Sequence, residues 1–381
     1  MTDKSQDPSG LHRDEPHFRS DSVLPPADTT EPIGLDTESV IVAEHSENAI
    51  EMKEVEGLSQ GKIIFRRFIR HKGAMISLVV LLFVVAISFS AEGINAIGLH
   101  IPGWWKFNYY QINPIVNDTA PTLQLWPFSL GDHPFGQDEV GRDVFAEVMR
   151  GIQQSIMIIV VIGLVSTTIG AVIGAVAGYY GGRIDALLMR MTDMFIIVPL
   201  ILLAAIVGHY AQGSGSFVLA LILGLLLWTS LARLVRGEVL ALREREFVEA
   251  AKVAGASNAR IMFKHILPNA AGVIIVSATL TMSAAILLEA ALSYLQLGVQ
   301  PPDVSLGSLI GLYQNSFETR PWLFWWTGIF IVIIALTINF IGDGLRDAFD
   351  PRQRRILNRK AKAAQTAARE KPTTVEPQPT A

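Results

Sequence analysis

IQQSIMIIVVIGLVSTTIGAVIGAVA (Ile152–Ala177) contains no Asp, Glu, Lys or Arg. A stretch of that length exceeds the roughly 20 apolar residues a helix needs to cross a bilayer. Backbone N–H and C=O groups find no water in hydrocarbon, so the segment is predicted to be a membrane-spanning helix. Gly163, Gly170, Gly174 and Gly178 recur in and just beyond it at spacings near seven and four. The run Gly170-x-x-x-Gly174-x-x-x-Gly178 predicts a close helix contact. Packing within the subunit is the default reading, and contact with a second subunit is the sharper alternative.

Five further apolar runs read the same way: Ala74–Ala91, Ala186–Gly208, Phe217–Leu234, Ala270–Leu292 and Trp322–Ile341. Pro199 lies inside the third of the six and predicts a kink, because an interior proline removes one helical hydrogen bond. The chain as a whole agrees. Half its 381 residues are apolar, mean hydropathy is +0.37, and 17% are charged, against about 25% in a soluble domain. The expected fold is an all-α polytopic membrane protein with six transmembrane helices.

Charge gives the orientation. Lys62, Arg66, Arg67, Arg70 and Lys72 precede the first run, and Arg183 follows the second. Arg236, Arg243, Arg245, Lys252, Arg260 and Lys264 fall between the fourth and fifth, and more bases follow from Arg346 to Lys371. The alternate segments are poor in bases: 92–150 holds Lys106, Arg142 and Arg150, 209–216 none, and 293–321 Arg320. The positive-inside rule then places both termini in the cytoplasm and 92–150 outside. Trp104, Trp105, Tyr109, Tyr110, Trp322, Trp325 and Trp326 sit at run boundaries, where aromatic rings favour the headgroup level.

The net charge of −4 conceals an asymmetry: residues 1–60 carry net −10 and the remainder net +6. Residues 1–58 are rich in Asp, Glu, Ser, Thr and Pro without apolar periodicity, and read as a disordered acidic cytoplasmic tail. They lack the apolar core of a cleavable signal peptide. A basic juxtamembrane segment 59–73, a membrane domain 74–350 and a cytoplasmic tail 351–381 complete the expected organisation. The chain has no cysteine, which excludes disulfides, thiol catalysis and thiolate metal sites.

The segment VRGEVLALREREFVEAAKVAGASNARIMFKHILPNA (Val235–Ala270) is too patterned to be a plain linker. Phe247, Ala250, Ala251 and Ala254 share one helical face, with Glu249 and Lys252 turned elsewhere. Gly255 fits the left-handed residue that closes a helix. Ser257 fits the N-cap of a second helix, which Pro268 is expected to interrupt. The coupling loop 235–269 is therefore read as helix, glycine turn and helix, a knob suited to docking. A DNA-reading helix-turn-helix has a related spacing, but anchoring of both ends at the bilayer argues against it, and no nucleic-acid partner is expected. A plain structural loop is the stronger rival.

Glu249-Ala250-Ala251, then Gly255, then Leu267-Pro268 resembles the EAA loop of ABC importer permeases; His265 stands where an isoleucine is usual. His133–Gly151, Gly178–Asp185, Leu287–Ile310 and Ile338–Arg352 are similar to elements of the C-type permeases of the peptide/nickel importer family, in the same order. The resemblance spans roughly residues 60–355, and the tail 1–58 and the insertion about 92–130 are less familiar. It implies a type I ABC importer permease fold in a bacterial cell membrane. It implies as partners a second homologous permease, two cytoplasmic ATP-binding subunits and an extracytoplasmic peptide-binding protein. Glu249, Ala250, Ala251, Gly255, Leu267 and Pro268 would couple the chain to the ATPase. No G-x-x-x-x-G-K-[ST] phosphate loop is present, so no cofactor is expected on this chain and ATP would bind the partner subunits.

Three ionisable residues lie in or near the apolar runs, where charge is costly and often marks a transport path. Arg190 and Asp193 are three apart, which favours a local ion pair. Glu289 has no sequence-near partner; pathway lining and structural hydrogen bonding stand level. No nucleophile–base constellation supports an enzyme, and His133, His209 and His265 are scattered without a metal-ligand cluster. The expected function is the permease subunit of a peptide importer. The alternatives are a nickel-chelate or other small-solute permease of the same family, and a stand-alone secondary transporter, for which paired repeats are not evident.

Overall fold

The computed structural model describes residues 60–96 and 99–349; the expectations for 1–58 and 351–381 lie outside these residues. An amphipathic helix α1 (Gln60–Arg70) carries Lys62, Arg66, Arg67 and Arg70 of the basic cluster. The His71 ring then caps α2 (Lys72–Glu92), its Nδ1 accepting the Ala74 N–H at 3.0 Å. Two short antiparallel hairpins follow. In the first, β1 (Gly93–Ala96) pairs with β2 (Leu99–Pro102), Gly93 opposite Pro102. In the second, β3 (Gln124–Leu125) pairs with β4 (Phe128–Ser129), Leu125 opposite Phe128.

α3 (Val144–Tyr180) starts well before Ile152. The Asp143 carboxylate caps it, accepting the Ala146 N–H at 2.9 Å, and so satisfies one of the donors a helix start leaves free. The third apolar run breaks into α4 (Gly182–Ile197) and α5 (Leu200–Tyr210), bent by 83°. Val198, forced off helical geometry by the proline after it, has an extended backbone (φ −78°, ψ 126°). The expected kink is thus a corner.

α6 (Ser216–Gly224) continues through a turn into α7 (Thr229–Arg243), so the coupling loop expected to begin at Val235 starts as a continuation of α7, helical to Arg243. α8 (Glu246–Val253) is followed by α9 (Asn258–Tyr294), α10 (Leu306–Tyr313) and α11 (Pro321–Phe349). Pro268 does not interrupt the helix, contrary to expectation. Residues Ile261–Ile266 form a π turn in which the Leu267 N–H reaches back to Met262 O. The wider turn moves carbonyls away from the proline ring, and the Asn269 side chain donates to His265 O at 2.6 Å. Among the described residues, α2, α3, α6 with α7, α9 and α11 are long and apolar enough to cross a membrane; the bent pair α4–α5 makes a sixth if it is one span. The chain is a helical membrane protein.

α3 lies at the centre. A Cβ added at Gly170, Gly174 or Gly178 would stand 2.8, 2.4 or 2.8 Å from the carbonyl oxygens of Trp228, Ala232 and Arg236. The glycine row therefore seats α7 directly on α3, and the close contact is made inside the subunit. One apolar core gathers Ile152, Ile159 and Ile162 of α3 with Leu223, Ile286 and Leu306. A second core, at the other end of α3, holds Ala175 and Tyr179 with Val235, Val239, Val248 and Ile261.

The boundary tryptophans divide. Trp105 packs on Phe145 (4.5 Å between ring centroids) and donates its indole N–H to Asp143 at 2.7 Å, and Trp326 stacks on Phe135 at 4.1 Å. Trp104 and Trp325 remain exposed. His133 Nδ1 lies 2.7 Å from the other Asp143 oxygen. Burial pushes the Asp143 carboxyl up, while its contacts to His133, the Ala146 N–H and Trp105 pull it down.

Candidate functional site

α8 is short, and an isolated helix of that length is not stable in water. Tertiary contacts hold it. Val248 is fully buried in the second core, and Ala251 and Ala256 pack against the same cluster. Glu246 and Glu249 fall in the first turn, where the helix dipole favours negative charge.

The helix closes in a Schellman arrangement. The Ala256 N–H donates to Ala251 O and the Gly255 N–H to Lys252 O, both at 3.0 Å. Gly255 takes φ +76°, the left-handed geometry such a closure requires. Ser257 then caps α9, its hydroxyl accepting the Arg260 N–H at 3.4 Å.

Three further contacts tie together the helix ends around this knob. The Tyr179 hydroxyl donates to Asn258 Oδ1 at 2.9 Å, joining the end of α3 to the start of α9. Arg243 Nη1 donates to Gly178 O and Tyr179 O at 3.2 and 3.3 Å, capping carbonyls at the end of α3. Arg236 of α7 makes a two-pronged pair with Asp185 of α4.

The opposite face of α8 is open. Phe247, Ala250 and Ala254 are exposed on it, Val253 is 90% exposed, and Glu249 and Lys252 stand beside them. Phe263 of α9 is also exposed. The expected face of Phe247, Ala250, Ala251 and Ala254 is therefore split, because Ala251 turns inward. Sequence reasoning missed Val248 as the root of the helix. Its signal was its position, three residues before Ala251 and flanked by charged or exposed neighbours. Leu267 is half-buried against the second core and Pro268 is exposed. All six residues expected to couple thus lie in one segment, three on α8, one in its closing turn and two on α9.

The intramembrane charges are arranged differently from expectation. Asp193 pairs with Arg233 of α7 and not with Arg190. The partner comes from another helix, which spacing along α4 cannot reveal. Glu289 is 1% exposed. Its Oε1 accepts from the hydroxyls of Ser293 at 2.8 Å and Ser305 at 2.6 Å. Ser155 of α3 accepts the Leu306 N–H at 3.1 Å beside it. This hub ties α9 to α10 and α3, while Glu289 Oε2 is buried without a hydrogen-bond partner among the described residues.

Residues 170–355 match the family described as the binding-protein-dependent transport system inner membrane component. Residues 59–123 match the N-terminal transmembrane domain of oligopeptide transport permease C. The chain is 37% identical to the oligopeptide transport system permease protein OppC of Escherichia coli K12, over 82% of this chain and 98% of that protein. It is 36% identical to the protein of the same name from Mycobacterium tuberculosis H37Rv, over 79% and 98%. Against that of Salmonella typhimurium LT2 it is 38% identical, over 82% and 98%.

Proposed function

The chain belongs to the binding-protein-dependent inner-membrane transport components, in their oligopeptide permease C branch, and from that premise we propose that it forms half of the membrane passage of an ATP-driven peptide importer. As a permease component it is a non-catalytic, multi-pass subunit. The other half would be a second, homologous permease. Two ATP-binding subunits would dock on the cytoplasmic side, and an extracytoplasmic binding protein would deliver peptide. ATP would bind those partners, and this chain would carry no cofactor. The Lys and Arg distribution supports cytoplasmic termini with residues 92–150 outside. Family membership argues against a stand-alone secondary transporter. The names of the relatives favour peptides over nickel chelates.

The observation that carries the coupling reading is α8 itself. It is rooted through Val248 on the ends of α3, α7 and α9, yet presents Phe247, Ala250 and Ala254 outward. A helix held rigidly on one side and open on the other can transmit the motion of a docked ATPase to the spans. Glu249, Ala250, Ala251 and Gly255 would form the docking element, and Leu267 and Pro268 would carry the motion into α9.

The test is to purify the complete complex carrying Ala250→Glu, then measure retained ATPase subunits, peptide-stimulated ATP hydrolysis and uptake. A charge forced into an apolar contact is poorly solvated. Loss of ATPase subunits or of stimulated hydrolysis is expected, with normal membrane abundance of the permease. A complex that keeps its ATPase subunits and transports normally would reduce the loop to a connector.

A further inference from the structure

Between the insertion, the start of α3 and the loop joining α9 to α10 lies a cavity of about 350 Å³, within the size range of small-molecule sites. Its wall carries both signs of charge: Arg142, Glu147 and Asp303. Glu147 is 2% exposed, and the Arg142 side chain is 40% exposed. The Tyr313 hydroxyl donates to Glu147 Oε2. Oε1 forms a loose ion pair with Arg142 Nη1 at 3.8 Å, beyond hydrogen-bond distance. An oxygen held this loosely keeps acceptor capacity that a donor entering the cavity could fill.

The remaining lining matches that charge pattern. Gln296, Gln300 and Ser308 offer amide and hydroxyl groups suited to peptide bonds. Tyr109 and Tyr110 form an aromatic side, and Pro301 and Pro302 a rigid one. Asp303 is held in place by the Ser216 N–H at 3.0 Å. An inorganic ion would leave most of these groups unused. A lone cation would leave Arg142 facing it.

We propose that this cavity is a subsite for a short zwitterionic peptide, with the free ammonium against Glu147 and Asp303 and a carbonyl or carboxylate towards Arg142. The inference rests on the peptide-import reading and adds to it a contact made by the permease itself.

The experiment uses the assembled complex of permeases and ATPase subunits in nanodiscs, without the binding protein. Equilibrium dialysis compares labelled Ala-Phe with N-acetyl-Ala-Phe, which lacks the ammonium. The expected result is saturable binding of Ala-Phe and at least tenfold weaker binding of the acetylated form. Glu147→Gln keeps an acceptor for Tyr313 and should bring the two peptides within about twofold of each other, and Asp303→Asn should reduce the gap. Equal binding of both peptides by the unmodified complex, or no saturable binding, overturns the proposal without recourse to a variant. Uptake with the binding protein present separates the two readings. Ala-Phe imported but not bound removes the subsite and leaves import standing, whereas Ala-Phe bound but not imported does the reverse. If Glu147→Gln instead weakens docking of the binding protein and leaves peptide discrimination unchanged, the cavity receives a side chain of that protein and the proposal fails.

Discussion

Gly255 and Val248 sit seven residues apart and hold α8 by opposite means. Gly255 has open space where a side chain would project, so its constraint is the backbone angle, φ +76°. A β-branched residue there is strained by roughly 1–2 kcal/mol. Gly255→Val should misdirect the start of α9 and lower peptide-stimulated ATP hydrolysis severalfold, whereas Gly255→Asn, which tolerates the left-handed region, should retain most of it. Equal activity in the two variants would show that the turn geometry is irrelevant to coupling. Val248 works through burial. Val248→Ala removes two methyl groups from a fully buried site and should weaken the attachment of α8 by about 2 kcal/mol. Limited proteolysis between Arg243 and Arg260 should then accelerate, and an unchanged rate would argue against Val248 as the root. The glycine was legible in the sequence because helix closure has a strong residue signature. Val248 was not, since an eight-residue amphipathic pattern does not say which apolar stripe faces the protein when both sides carry apolar residues.

At the scale of elements, the seam between α3 and α7 depends on the absence of side chains at Gly170, Gly174 and Gly178. A Cβ at Gly174 would lie 2.4 Å from Ala232 O and 2.8 Å from Val235 Cβ, both parts of a packed helix with little room to retreat. Gly174→Val should separate the helices and destabilise the permease by about 1–3 kcal/mol, the usual effect of overpacking. A melting temperature in detergent equal to that of the unsubstituted protein would rule out tight packing at this seam. The glycine spacing announced the contact without naming its partner. The partner helix, like the Asp193–Arg233 pair, is a tertiary fact that no periodicity along α3 or α4 encodes. The π turn before Pro268 was hidden for a related reason. A proline in a helix signals trouble for the backbone, but whether the chain breaks, as at Pro199, or widens by one residue, as here, depends on what the flanking segments pack against. Ile261, Met262 and Ile266 are buried on both sides of the widened turn, which keeps the helix in place.

For the whole molecule, alternating basic and base-poor segments predict which face is which, and the fold gives places to test it. Val140 lies exposed in the insertion before α3, and Ala259 lies exposed at the start of α9. If 92–150 is outside and the α8 segment inside, these two positions stand on opposite sides of the membrane. The protein contains no cysteine, so Val140→Cys or Ala259→Cys creates a unique thiol with no background to remove. Neither position is a glycine or takes a left-handed backbone, so neither substitution is expected to disturb the fold. Intact cells treated with a membrane-impermeant maleimide should be labelled at 140 and not at 259. After permeabilisation and denaturation both should react, which controls for reactivity and for shielding by a docked ATPase. The reversed pattern on intact cells would invert the topology, and with it would fall both the docking role of α8 and the outward-facing cavity at Glu147. Labelling at both positions on intact cells would mean a chain inserted in two orientations, an outcome the strong basic bias of 236–264 opposes.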